Sequence, residues 1–149
     1  MKYQYSDRED QTMRENCMYI KFPAIPENEK LARMIAAAFL TNMNPTLEEM
    51  EDVKTAVSEA VTNCIIHADD PEVEMNLERK GQIFSVMVTD HGKGIEDVKR
   101  AMEPLYTTKS EEERSGMGFA FMEAFMNEVK VESELGKGTR IKMMKKIGK

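Results

Sequence analysis

The chain has 149 residues, 41% of them apolar, which suits one domain with a buried core. Asp and Glu outnumber Lys and Arg by 27 to 21, a net charge of -6 that argues against a nucleic-acid footprint built on a basic stripe. The longest apolar run, "MIAAAFL" from Met34 to Leu40, falls far short of the ~20 residues of a membrane span, and no signal-peptide pattern opens the chain. A cytoplasmic protein that acts on a protein or a small molecule is therefore expected, without direct contact with nucleic acid or membrane.

Residues 1–12 are polar and aperiodic and are expected to be a loose extension, with a single domain over 13–149. "CMYIKF" reads as a strand, with Cys17 a small core residue in a reducing compartment. Pro23 and Pro26 end it before a helix from about Glu27 to Met43, on which Leu31, Ile35, Ala38 and Phe39 recur at helical spacing and are expected to face the core. Pro45 marks a break. Thr46 with Glu49 three residues later is a capping box, and the helix it opens holds Leu47, Met50, Val53, Val57, Ala60, Val61 and Cys64 on one stripe through to about Ile66. Fourteen methionines and no tryptophan suit an adaptable core.

"VEMNLE" and "IFSVMVTD" alternate strictly around the turn "RKGQ", the pattern of an antiparallel hairpin that Asp90 closes. From His91 to Ser115 the chain is long, glycine-bearing and charged, with a short helix near Glu96 to Met102; a connection of this length is expected to be a lid or binding loop. A helix "MGFAFMEAFMNE", a strand "VKVESE", a turn "LGKG" and a strand "TRIKMMKK" follow. The sum is α+β: a mixed, mostly antiparallel sheet of about five strands, with about three helices covering one face.

Four stretches carry candidate chemistry. Glu59, Asn63 and His67 are spaced by four and stack along the border of the apolar stripe, where a carboxylate can take a proton and an amide oxygen can ligate a hard cation such as Mg²⁺. The same triplet also suits an ordinary helix surface. "DHGKG", Asp90 to Gly94, puts an acceptor at a strand end beside two glycines that allow close backbone approach, and is equally the pattern of a tight turn. "RSGMGF", Arg114 to Phe119, places glycines and an arginine at a helix start, an arrangement that binds anions, and "TTK", Thr107 to Lys109, adds hydroxyls and a cation nearby. "GKGT", Gly136 to Thr139, reads on its own as a hairpin turn.

In order, "SEAVTNCIIHA", "DHGKG", "RSGMGF" and "GKGT" resemble the four boxes of the GHKL ATPase superfamily, whose members bind Mg-ATP in a Bergerat fold. "TAVSEAVTN", "PLYTTK", "ERSGMGF" and "VESELGKGT" are similar to bacterial anti-sigma factors with serine-protein-kinase activity, above all the sporulation branch directed at sigma F. The resemblance runs from about residue 13 to the end. It implies Glu59 as general base for a serine hydroxyl and Asn63 as a ligand of Mg²⁺. It implies Asp90 as acceptor of the adenine amino group, with Gly92, Gly94 and Thr139 completing the adenine end. Thr107, Thr108, Lys109, Arg114, Ser115, Gly116 and Gly118 would form the lid over the phosphates.

The implied activity is that of an ATP-dependent serine protein kinase. As a homodimer with ATP bound it would sequester a sigma factor of the sigma F type, and it would phosphorylate a serine on an anti-anti-sigma protein. Arg33 in "NEKLARM" matches an exposed, partner-docking arginine of that family; on residue type alone it is as readily a solvated helix arginine. Two other readings stay open: the general-stress relative directed at sigma B, and a nucleotide-dependent sequestering module without kinase chemistry. Glu59 disfavours the second, because sequestration alone needs no base.

Overall fold

A computed structural model describes residues 14–67, 69–103 and 118–148. In chain order these form β1 (Glu15–Pro23), α1 (Glu27–Thr41), α2 (Leu47–His67), β2 (Glu72–Lys80), β3 (Ile83–Asp90), α3 (Val98–Ala101), α4 (Gly118–Phe125), β4 (Glu128–Glu134) and β5 (Gly138–Lys146). The strands make one sheet in the order β1-β2-β3-β5-β4, and every pairing is antiparallel. Among the described residues no neighbouring pair is parallel, so the mixed sheet allowed by the sequence resolves to an antiparallel one. Since β3 and β4 both run antiparallel to β5, they share a direction and cannot be joined by a tight turn; their connection must cross over, and it does so through the long segment and α4.

One face of the sheet is covered. Val73, Met75 and Leu77 of β2, Phe84, Val86 and Val88 of β3, and Ile141 and Met143 of β5 point to it at period two and are buried against the helices. α2 lies centrally, packed between α1 and α4, and buries Val53, Ala56, Val57, Ala60, Val61 and Cys64. The capping box forms as expected: Thr46 N–H donates to Glu49 Oε1 at 2.8 Å, and Glu49 N–H donates to Thr46 Oγ1 at 3.0 Å. Glu49 Oε2 also accepts from Gly148 N–H at 3.0 Å, tying the tail after β5 to the start of α2.

Three sequence expectations need correction. On α1 the buried residues are Ala32, Ala36, Phe39 and Leu40, whereas Leu31 is 59% exposed and Ala38, also expected in the core, is exposed. Two small alanines take the buried face, so the buried stripe lies about one position further along the helix than the large side chains suggest. Leu47, in the first turn of α2, is 87% exposed. Cys17 is exposed because β1 is an edge strand and its residue faces the uncovered side of the sheet, while Cys64 is buried as expected.

Candidate active site

Asp90 is the last residue of β3, at the point where the chain leaves the sheet for its long crossover. Its side chain lies on the helix-covered face, in phase with Val86 and Val88, and the residue is only 3% exposed. Burial pushes its carboxyl above the usual carboxylate range, with the nearby Asp70 carboxylate adding to the rise. Three donors oppose that shift: the Gly92 N–H at 2.9 Å, the Cys64 thiol and the Thr139 backbone N–H. A buried acceptor in a bed of donors is costly to build, and it is suited to reading one polar group of a ligand.

The Cys64 contact locates α2. The thiol, itself pushed well up by burial and by Asp90, donates to the carboxylate and holds the last turn of that helix against the end of β3. Asn63 precedes it, Glu59 lies one turn earlier and His67 one turn later, and all three are half-buried. The polar border read from the sequence therefore flanks the helix position that touches Asp90.

The loop after Asp90 is stitched to the β4–β5 hairpin. Gly136 N–H donates to Lys93 O at 2.9 Å, and Ile95 N–H donates to Ser133 Oγ at 2.7 Å. Gly94 has φ +79, and a Cβ there would lie 2.3 Å from Glu134 O, so only glycine allows this approach. On the other side, His91 N–H donates to Asp70 Oδ2 at 2.6 Å, and His91 Nε2 lies 3.1 Å from Glu74 Oε2. Glu74 also accepts from Tyr19 Oη at 2.7 Å. Thr139 pairs with Asp90 in the β3–β5 register and is 5% exposed.

Gly118 is the first residue of α4; Thr107, Thr108, Lys109, Arg114, Ser115 and Gly116 lie outside the described residues. Arg33 is on α1, with Nε 3.8 Å from Glu29 Oε1, and Glu29 in turn accepts a hydrogen bond from Ser58 Oγ on α2. Among the described residues no group of three or more His, Cys, Asp or Glu side chains is placed to hold a metal ion. A magnesium ion that keeps water and takes phosphate oxygens needs only one or two protein oxygens, and the half-buried Asn63 amide beside Glu59 fits that donor set. No helix among the described residues is long and apolar enough to cross a membrane.

Asp70, Glu74, Ser133 and the role of Cys64 were not legible as site features. Ser133 could have been found from the hairpin register, which sets it opposite Thr139; Asp70 carried no signal of its own.

The chain matches the family model of the histidine kinase-like ATPase domain over residues 22–145. It is 51% identical over 137 residues to the anti-sigma F factor of Caldanaerobacter subterraneus subsp. tengcongensis, a match that covers 90% of this chain and 96% of that one. It is 52% identical over 138 residues to the anti-sigma F factor of Clostridium acetobutylicum, covering 91% and 96%. Its fold is similar to the crystal structure of the RsbU and RsbW domains of Rv1364c from Mycobacterium tuberculosis, with a TM-score of 0.65 and 18% identity over 89% of this chain. The match spans about a third of that longer chain, 32% of its length. With a GHKL-type fold, a buried acceptor at the end of β3 and relatives at about half identity over nearly the whole chain, this chain belongs to the anti-sigma F factor family of histidine kinase-like ATPase domains.

Proposed function

We propose that this protein is an ATP-dependent serine protein kinase that, as a homodimer with ATP bound, sequesters a sigma factor of the sigma F type and phosphorylates an anti-anti-sigma protein. The observation that carries the reading is the buried Asp90 carboxylate at the end of β3, with Glu59 and Asn63 half-buried on the C-terminal half of α2, the helix whose Cys64 interacts with it. Family membership supplies the nucleotide.

In this reading Asp90 accepts from the adenine amino group, and the stitched loop of Gly92 and Gly94 with Thr139 holds the base. Asn63 would hold Mg²⁺, which neutralises phosphate charge when bound. Glu59 takes the proton of the substrate serine as its Oγ bonds to the γ-phosphorus, while the bond from that phosphorus to the β–γ bridging oxygen breaks and ADP leaves. A phosphorylated antagonist can no longer displace the sigma factor. Positioning and charge neutralisation do most of the catalytic work, so a small domain with one carboxylate base suffices. Thr107, Thr108, Lys109, Arg114, Ser115, Gly116 and Gly118 are assigned to the phosphate lid, and Arg33 on α1 to partner docking.

The sequestering half is tested by retention of a sigma F-type factor on immobilised protein. Retention in Mg-ATP well above that in Mg-ADP is expected, and equal retention in the two nucleotides would contradict it.

A further inference from the structure

Ser133 Oγ sits at a three-way junction. It accepts from Ile95 N–H at 2.7 Å, lies 3.1 Å from Gly138 O, and lies 2.8 Å from Thr139 Oγ1. A hydroxyl has one proton and two lone pairs. The Ile95 amide can only donate and the Gly138 carbonyl can only accept, so serving both consumes one lone pair and the proton. The remaining lone pair faces Thr139, whose own proton must then point at Ser133. A single proton arrangement satisfies all three contacts, and in it Thr139 turns its lone pairs, not its proton, to any further partner. Thr139 is paired across the sheet from Asp90, which is itself an acceptor when ionised. Among the described residues the corner then presents two acceptors, Asp90 and Thr139, with both of their hydrogen-bonding faces turned out as lone pairs.

We propose that Ser133 is a positioning residue that holds the Thr139 hydroxyl as an acceptor and so makes this corner select purine nucleotides with a 6-amino group over those with a 6-oxo group. The inference rests on the reading of this corner as the base-binding end of a nucleotide site. An amino group brings hydrogens to both acceptors, whereas a 6-oxo group sets a third acceptor against their lone pairs. Removing the Ser133 hydroxyl frees the Thr139 proton to turn outward and serve an oxo group.

The test is a calorimetric titration of the full chain with ATP and with inosine triphosphate, which differs from ATP by the 6-oxo group and the ring proton that accompanies it. Ser133→Ala is expected to lower the ratio of ATP to inosine triphosphate affinity about tenfold, the size of one hydrogen bond's preference. Ser133→Thr, which keeps the hydroxyl, should restore the ratio. Thr139→Val, which preserves shape on the strand, should lose it to the same extent, and provides the test if Ser133→Ala does not fold. Equal proportional weakening of both nucleotides in Ser133→Ala, or an unchanged ratio in Thr139→Val, would overturn the proposal. Wild-type protein that binds neither nucleotide would instead refute the base-binding reading on which it stands.

Discussion

Gly138 offers a perturbation whose size can be worked from geometry. Its φ is +112, and a Cβ built there would lie 2.1 Å from Asp90 O, 2.7 Å from His91 Cα and 2.9 Å from Asp90 C. Cβ atoms essentially never approach heavy atoms within 3.0 Å, so Gly138→Ala must push β5 and the end of β3 apart by about 1 Å. Gly136, two residues earlier in the same turn, has φ +80 but nothing within 4 Å of its added Cβ, and so isolates the conformational part of the cost. Forcing an alanine into the left-handed region costs roughly 1–2 kcal/mol, which is all that Gly136→Ala should lose in urea unfolding. Gly138→Ala should lose more, and it alone should move Asp90. A displacement of this size in a binding corner is worth roughly 100-fold in turnover, so phosphoryl transfer should fall by about that factor in Gly138→Ala and stay within about twofold of wild type in Gly136→Ala. Wild-type transfer by a folded Gly138→Ala variant would refute the claim that this backbone contact sets the site.

Further outcomes follow from the same structure. Glu59→Ala should keep nucleotide affinity, measured by calorimetry, yet lose roughly 10²- to 10⁴-fold in transfer rate, the range for a general base; an unchanged rate would remove Glu59 from that role. Asp90→Asn should weaken ATP binding roughly 10- to 100-fold through loss of a charge-assisted hydrogen bond, while leaving the unliganded fold at least as stable at neutral pH. Because burial raises the folded-state pKa of Asp90, the folded protein binds more protons than the unfolded chain between the ordinary carboxylate value and the raised one. Stability therefore falls as pH rises through that window, and ATP affinity falls as pH drops through it; Asp90→Asn should abolish both dependences. Thr46→Ala should cost about 1 kcal/mol in thermal or urea unfolding through loss of its cap, with no change in nucleotide affinity.

Burial also acts on Glu49 and pushes its carboxyl up, but donation from Thr46 N–H, Gly148 N–H and the Thr46 hydroxyl, together with Lys145, leaves it below the usual range. Its contribution is present above the unfolded-state pKa and lost as pH falls through the lowered one, so Glu49→Gln should flatten the acid limb of the stability profile.

What could be read from the sequence was local. The Thr46–Glu49 box, the alternation of β2 and β3 and the position of Asp90 at a strand end each depend on residues within a few positions of one another, and the structure carries all three. What could not be read was set by neighbours distant in sequence. Leu31 lies outside the core because Ala32 and Ala36 occupy the buried face of α1, and Cys17 is exposed because β1 has an open face. The Asp70 bond to His91 joins residues 21 apart, and the Ile95 bond to Ser133 joins residues 38 apart. The order of the four boxes indicated a nucleotide site; the supports that hold it become visible only in the folded chain.

Serine phosphoryl transfer is read out by intact-mass analysis. A candidate anti-anti-sigma protein is incubated with this chain and Mg-ATP, beside the Glu59→Ala variant. One added phosphate on a serine is expected with the wild-type protein and none with the variant over the same time. An unmodified partner in the presence of wild-type protein shown to have ATP bound, or equal modification by both proteins, would contradict it.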